Sequence, residues 1–173
     1  GKNRAATPDK PKNVYSHPKM GTAFVHTVID DHSRVAYAEI HDDETAVTAT
    51  AVLRNAVAWF AARAIIVERV LSDNGSPYKS HLWRDTCVEL GIRHTRTKPY
   101  RPQTNGKIER FHRILLEEWA YIRPWRSEHQ RELAYAGFLH FYNHHRSHGA
   151  LGWATPHETL TRLIGDNVPA GHT

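Results

Sequence analysis

The stretch from Val70 to Arg113 constrains this chain more than any other, because it fixes the spacing of two carboxylates in different predicted elements. Asp73 follows an apolar run and precedes the turn signal Asn74-Gly75, so we expect it at the end of a strand. Thirty-five residues separate it from Glu109, which lies in a segment with helical periodicity. The last part of this connection, Leu90 to Ile108, contains five cationic side chains and no acid.

These residue types suit metal-dependent chemistry on a phosphodiester. The reaction needs an activated attacking oxygen and a stabilised leaving oxygen, and two divalent ions roughly 3.5–4 Å apart can supply both. Magnesium is usually held by one or two carboxylates together with substrate phosphates. Lysines and arginines nearby would hold the rest of the nucleic acid by its phosphates. The layout therefore predicts DNA as the partner.

Three runs of sequence make a resemblance specific. They are Ser72-Asp73-Asn74-Gly75-Ser76, then Tyr100-Arg101-Pro102-Gln103-Thr104-Asn105-Gly106-Lys107-Ile108-Glu109-Arg110, and Tyr142-Asn143-His144-His145-Arg146-Ser147-His148. Leu151-Gly152 and Thr155-Pro156 follow the last run. With these motifs the chain resembles the catalytic core of DDE transposases and retroviral-type integrases, and it is most similar to bacterial insertion-sequence transposases. The resemblance extends from about Thr22 to about Leu160.

The resemblance implies an α/β fold, the RNase H-like integrase core, in which helices flank a mixed sheet. It also implies Mg²⁺ or Mn²⁺ as cofactor, as two ions held by three carboxylates, of which Asp73 and Glu109 would be two. It implies a homo-oligomer acting on DNA, both at element ends and at the target. The positions it assigns to DNA contacts are Asn74, Tyr100, Arg101, Gln103, Lys107, Arg110, Arg113 and Arg146.

Two departures from the family pattern stand out. The family's first catalytic Asp lies in the first strand, and no apolar strand with a central Asp precedes Ala23–Ile29. We therefore expect this first strand and its Asp to lie upstream of Gly1. Many insertion-sequence relatives also carry a basic residue seven positions after the Glu, where this chain has Leu116.

Periodicity predicts a series of alternating elements. The strands are expected at Ala23–Ile29, Val35–Ile40, Ile65–Ser72 and Ile92–Thr97. The helices are expected at Thr45–Arg63, at Lys79–Leu90 with Leu82, Cys87 and Leu90 as core contacts, around Glu109, and at Glu128–Arg146. A stripe of Ile108, Phe111, Leu115, Trp119 and Ile122 should bury one face of the helix that carries Glu109.

The domain organisation is simple. We expect residues 1–21 to form a basic flexible arm or loop, 22–125 the catalytic core, and 126–173 a C-terminal helix and tail of the same domain. The formal charge of +5 and the pI near 9.5 favour an anionic partner. The single cysteine, Cys87, excludes a disulfide framework. No apolar run reaches membrane-spanning length, so a bacterial cytoplasmic protein is expected.

Other clusters of polar residues have competing interpretations. Asp30 and Asp31 resemble a metal site, but Asp is favoured in turns because its side chain bonds nearby backbone amides. The histidines His140, His144, His145 and His148 are dense enough to suggest zinc. No cysteine or carboxylate nearby completes such a set, and the family motif favours a structural or DNA-facing role.

The leading hypothesis is a transposase core that performs DNA strand cleavage and strand transfer. An RNase H-like nuclease on the same fold is one alternative. A non-catalytic DNA-binding remnant is the other, since a chain without the first carboxylate could not hold two metals in the family's manner.

Overall fold

The computed structural model describes residues 24–98, 106–120 and 127–166. The strands are β1 (Phe24–Ile29), β2 (Ala36–His41), β3 (Arg69–Ser72) and β4 (Arg93–Arg96). The helices are α1 (Ala46–Ala61), α2 (His81–Glu89), α3 (Gly106–Leu115), α4 (Glu128–His144) and α5 (Pro156–Asp166). Short 3₁₀ turns occupy Pro77–Lys79 and Gly149–Leu151, and a π-helical turn, Leu116–Ala120, follows α3. The expected order of strands and helices is confirmed.

One strand is shorter than predicted. The pattern predicted a strand from Ile65 to Ser72, but β3 begins at Arg69. Ala64 adopts a left-handed φ of +59°, and the Ile65 amide donates back to the Phe60 carbonyl at 3.0 Å. The residues after α1 therefore belong to the closing turn of the helix and to a connection, and only the last four residues pair as a strand.

The four strands form two pairs. β1 and β2 are antiparallel, with Phe24 opposite His41 and Ile29 opposite Ala36. β3 and β4 are parallel, and Ser72 lies opposite Arg96. Within the described ranges the two pairs share no strand. The expectation that a further strand lies upstream of Gly1 stays a prediction.

The largest core lies where α3 and α4 pack on the β1–β2 pair. Phe111 of α3 is fully buried, and its ring meets the Tyr142 ring edge-on at 4.8 Å between centroids. Buried Asn143 makes two hydrogen bonds to one residue of β2. Its Oδ1 accepts from the Ala36 amide and its Nδ2 donates to the Ala36 carbonyl, each at 2.8 Å. Tyr142 and Asn143 therefore join α4 to the sheet.

A second helix layer consists of α1, which packs on β1 and β2, and α2, which packs on β4. Thr45 caps α1 by accepting a hydrogen bond from the Thr48 amide. Leu53 of α1 packs with Cys87 of α2 in one buried cluster. The prediction for Leu82 was wrong, because that side chain is 45% exposed and the next residue, Trp83, fills the core position. Trp83 shares one buried face of α2 with Thr86 and Cys87, three and four residues later, and Leu82 lies off that face.

Several expectations fall on residues that the structure does not describe. They are the basic arm 1–21 and Ile122 of the α3 stripe. Of the rest of that stripe, Ile108 is half-buried, while Phe111, Leu115 and Trp119 are buried. Among the helices of the described ranges, none combines the length and apolarity needed to cross a membrane.

Candidate active site

Asp73 lies at the carboxyl end of β3, as its sequence context predicted. The pairing of β3 and β4 continues past the strand, because the Thr97 amide donates to the Ser72 carbonyl at 2.9 Å. The side chain of Asp73 is exposed, and its Oδ1 accepts a hydrogen bond from the Gly75 amide at 2.7 Å. This contact fixes the direction of the carboxylate relative to its own strand.

Gly75 is required here by close approach. A Cβ at this position would lie 2.9 Å from Asp73 Oδ1 and 3.4 Å from Cδ2 of Tyr78. Carbon and oxygen atoms that are not bonded do not approach so closely, so any larger residue would displace the carboxylate. The Asn-Gly pair is therefore more than a turn signal, because it determines where Asp73 points.

Two side-chain contacts tie the end of β3 to β4. The Ser72 hydroxyl lies 2.9 Å from Nε2 of His94, and the Asn74 side-chain amide donates to the Thr97 carbonyl at 2.9 Å. Burial, together with the nearby Arg96 cation, lowers the pKa of His94, which favours the neutral ring. The contact that Asn74 makes is internal, although its DNA role stays a prediction.

His94 is a residue whose importance the sequence did not reveal. It was predicted only as part of a short basic strand, and its ring also meets Trp83 edge-on at 5.6 Å. A side-chain contact between a histidine and a serine on neighbouring parallel strands can be recognised only once the register of the strands is known.

Glu109 lies in the first turn of α3 and is exposed. The opposite face of this helix holds Phe111, Ile114 and Leu115, all buried. His112 adds a polar contact to the sheet, with its Nε2 3.2 Å from Oγ1 of Thr27 in β1. Burial lowers the pKa of His112, so this contact is made by a neutral ring at neutral pH. Packing on β1 therefore positions Glu109.

The described residues place the two carboxylates on the surface but do not show a complete metal site. Within this part of the chain, the Glu109 carboxylate makes no ion pair and no hydrogen bond. No group of three histidine, cysteine, aspartate or glutamate side chains suited to a metal occurs among residues 24–98, 106–120 and 127–166. The donor types still fit magnesium or manganese, because both exposed side chains present carboxylate oxygens.

The predicted DNA contacts other than Asn74 fall into three groups. Tyr100, Arg101 and Gln103 lie outside the described residues. Lys107 and Arg146 have protein partners: Lys107 forms an ion pair with Asp31, and Arg146 one with Glu118 at 2.9 Å. Arg110 and Arg113 are exposed on α3, and neither makes an ion pair within the described ranges.

The turn between β1 and β2 uses both of its acids. Asp30 Oδ2 accepts hydrogen bonds from the amide and the hydroxyl of Ser33, at 2.7 and 2.6 Å. The hydrogen bond from Lys107 lowers the pKa of Asp31. In the structure both carboxylates therefore make contacts within the protein, which agrees with the interpretation as a turn.

The histidines of α4 contact one another. Nε2 of His145 lies 3.3 Å from Nε2 of His140, and the rings of His140 and His144 stack at 4.7 Å between centroids. His148 is separate from this group, because its ring packs edge-on against Tyr142 at 5.0 Å.

Comparison with known proteins identifies the family. Two family models, both described as integrase core domain, match residues 13–102 and 90–156. Among curated proteins, the chain is 26% identical over 153 residues to a putative integrase, ORF3, of Spiroplasma virus SpV1-C74, covering 81% of this chain and 42% of that protein. It is 30% identical over 90 residues to the Escherichia coli transposase InsD for insertion element IS2A/D/F/H/I/K, covering 52% of this chain and 30% of the transposase. The chain thus spans less than half the length of these curated relatives.

Solved structures give the same fold. The catalytic core domain of BIV integrase is 25% identical, with a TM-score of 0.63, and the match covers 83% of this chain and 89% of that one. A chain of the simian T-cell lymphotropic virus intasome, in complex with the PP2A regulatory subunit B56 gamma, matches with a TM-score of 0.65. At 22% identity, over 88% of this chain and 54% of the other, that likeness concerns the fold. The fold is that of the RNase H-like catalytic cores, and the chain belongs to the integrase core domain family.

Proposed function

We propose that this chain is the catalytic core of a transposase that cleaves DNA strands at the ends of a mobile element and joins them to target DNA. One observation carries the proposal: the family match spans both carboxylates, and the structure puts Asp73 at a strand end and Glu109 in the first turn of a helix packed on the sheet. The proposed partners are the element ends and the target, bound by a homo-oligomer, and the expected compartment is the bacterial cytoplasm.

Asp73 and Glu109 are the proposed metal ligands, with Mg²⁺ or Mn²⁺ as the cofactor, as two ions. The ions would supply activation of the attacking oxygen and stabilisation of the leaving oxygen. The protein's part is to hold the two carboxylates: Gly75 orients Asp73 by a backbone hydrogen bond, and the buried face of α3 holds Glu109 over β1. The family resemblance implies a third carboxylate as a further ligand.

The remaining assignments concern DNA. Arg110 and Arg113 are free to meet backbone phosphates, because neither is engaged in an ion pair within the described part of the chain. Lys107 and Arg146 would first have to share or release Asp31 and Glu118. Asn74 supports the end of β4 and is expected to affect DNA binding through that support. Tyr100, Arg101 and Gln103 remain proposed contacts from the sequence motif.

The test is a nicking and joining assay on short DNA duplexes with Mn²⁺. It compares the 173-residue chain, a chain extended upstream in its natural reading frame, and Asp73→Asn and Glu109→Gln in whichever is active. Asp85→Asn is the matched control, because Asp85 is an exposed aspartate on α2 paired only with Arg84. Activity that requires the upstream extension and disappears with Asp73→Asn or Glu109→Gln is the expected result.

Other outcomes separate the alternatives. Activity of the 173-residue chain alone would mean that the third carboxylate lies within it. Nicking without joining would favour an RNase H-like nuclease. DNA binding that is indifferent to Asp73→Asn, with no cleavage by either chain, would favour a non-catalytic DNA-binding remnant.

A further inference from the structure

A small cleft opens where three separate segments of the chain meet. Its volume is about 130 Å³. The turn between β1 and β2 contributes Arg34, the start of α3 contributes Lys107 and Arg110, and the region after α4 contributes His148. Among the described residues that line the cleft, three side chains are cationic and none is a carboxylate. Such a concentration of one sign of charge is unfavourable unless an anion compensates it.

The turn fixes the position of Arg34. Arg34 has a left-handed φ of +67°, and its amide donates to the Asp30 carbonyl at 3.0 Å. Its guanidinium also donates through Nη1 to the carbonyl of Asp31. A guanidinium has five N–H donors, so this single contact leaves most of them available to a ligand. The turn therefore holds the Arg34 guanidinium in place and leaves most of its N–H groups able to donate to a ligand.

The charges at the cleft are only partly balanced. Asp31 is the one acid bonded to this group of cations, and its carboxylate pairs with Lys107. The Arg34 guanidinium lies 3.9 Å from the same carboxylate, at the outer limit of an ion pair. Arg110 has no ion-pair or hydrogen-bond partner among residues 24–98, 106–120 and 127–166. One negative charge therefore faces three positive ones.

His148 provides an independent sign that something belongs in the cleft. Its Nε2 is buried, and it finds no hydrogen-bond partner in the described part of the chain. Buried polar atoms without partners are rare in proteins. Burial, reinforced by the cations of Arg146, Arg110 and Arg34, lowers the pKa of this imidazole to about 4. A bound anion would offset the effect of these cations on the imidazole and raise its pKa.

We propose that this cleft binds a single phosphate group of the DNA backbone, held by the guanidinium groups of Arg34 and Arg110 beside His148. The identification of DNA as the source of the phosphate rests on the proposed function, whereas the anion site itself rests on the geometry. Two guanidinium groups suit the task, because each can make paired hydrogen bonds to phosphate oxygens. Lys107 and Arg110 flank Glu109 in sequence, so a phosphate held here sets the position of the duplex relative to that carboxylate. Contacts of this kind fix register and do not read sequence.

The first experiment measures affinity for a short DNA duplex as a function of salt, by fluorescence anisotropy without metal. The variants are R110Q, R34Q and the double variant, each checked for folding by circular dichroism. Each phosphate contact contributes about 0.9 to the slope of log affinity against log salt. R110Q and R34Q should each make the slope shallower by about 0.9. The slope of the double variant should be no shallower than that of either single variant, because both side chains hold the same phosphate.

Arg84→Gln is the control for charge alone. Arg84 is an exposed arginine on α2, paired with the adjacent Asp85, and it does not line the cleft. It should leave the slope unchanged. If R110Q and R34Q also leave the slope unchanged while the wild-type chain binds DNA, the cleft proposal is overturned and the proposed function stands. A slope that is shallower by about 1.8 in the double variant would place the two arginines on different phosphates. That result would also overturn the cleft proposal.

The second experiment separates the anion site from its source. Inorganic phosphate, compared with chloride at equal ionic strength, should raise the Tm of the wild-type chain and of R84Q but not that of R110Q. If the wild-type chain binds no duplex while phosphate still protects it in this Arg110-dependent manner, the anion site holds and DNA as its source fails. If phosphate protects neither chain and no duplex binds, both proposals fall.

Discussion

The two proposed metal-binding carboxylates are held in opposite ways. Asp73 is positioned locally, by the Gly75 amide two residues away and by hydrogen bonds between the ends of β3 and β4. Glu109 is positioned at a distance, because nothing in the described part of the chain bonds its side chain and only the buried face of α3 holds it over β1. A local turn can be disturbed without unfolding the domain, whereas a helix held by its core cannot. Substitutions in the turn that holds Asp73 should therefore lower activity without lowering stability. Substitutions in the core that holds Glu109 should lower both.

The largest effect is expected from Phe111→Ala. This ring is fully buried between β2 and α4, and truncating a buried phenylalanine typically costs about 3–5 kcal/mol. Denaturant unfolding would measure the loss, and activity should fall with the folded fraction. Leu133→Ala on α4 is the control, since Leu133 is 62% exposed. Equal effects of the two substitutions would contradict the assigned role of the α3 core.

Gly75→Ala should come next, and it should act on activity alone. The new methyl group would meet Asp73 Oδ1, which can rotate away, so the carboxylate moves while the fold persists. A misplacement of about 1 Å at a reacting centre can lower the rate on the order of a hundredfold. Strand-transfer rate and unfolding free energy should be measured together in the active form of the protein.

The control for Gly75→Ala is Gly137→Ala, because no atom of the described structure lies within 4 Å of a Cβ built there. Gly137 lies within α4, where alanine is favoured over glycine by about 0.5–1 kcal/mol. This variant should gain stability and keep full activity. An unchanged rate in Gly75→Ala would show that the orientation of Asp73 does not depend on the glycine.

A smaller effect is expected from removing the hydroxyl group that contacts a histidine in the region that positions each carboxylate. Ser72→Ala and Thr27→Val each delete one partner of an imidazole, of His94 and of His112 respectively. A typical hydrogen bond contributes about 0.5–1.5 kcal/mol. Both variants should lose about this much unfolding free energy, but only Ser72→Ala should reduce activity beyond its loss of stability. Equal activity of the two variants would contradict the inference that Asp73 and Glu109 are positioned in different ways.

The mildest effect concerns pH. The pKa values of His94 and His112 are both lowered in the folded chain, mainly by burial. The unfolded chain therefore binds protons more readily below about pH 6.5, and unfolding free energy should decline as pH falls from there. The pKa values of Asp31 and Glu39 are also lowered, but their contribution declines only at more acidic pH, near and below their ordinary values of 3.8 and 4.5.

Replacing either histidine tests this pH dependence. His112→Gln and His94→Gln should each flatten the curve of unfolding free energy between about pH 6.5 and 5, measured by denaturant titration. The exposed His129 on α4, replaced by Gln, should leave the curve as it is. A curve unchanged by all three replacements would show that neither buried imidazole is the source of the dependence.

The sequence predicted the elements better than their contacts. Spacing and motifs placed Asp73 after a strand and Glu109 on a helix, because turn chemistry and helical periodicity are local properties. They misjudged Leu82, since the buried face of α2 is formed by Trp83, Thr86 and Cys87 and packing against α1 decides which face that is. They also gave no sign that Arg34, Arg110 and His148 converge, because these residues are far apart in the chain and only the fold brings them together. His94 was overlooked for the same reason.

The side-chain amide of Asn143 affects how the outer edge of β2 can pair with another chain. The Val35 carbonyl faces β1, where the Asp30 amide donates to it, so the polar groups of Ala36 point to the outer edge of β2. Asn143 occupies both of them, much as a neighbouring strand would. An exposed strand edge invites pairing between molecules. At Ala36 this one side chain takes the place of a neighbouring strand, so another chain cannot pair with β2 at that residue while α4 is packed on the sheet.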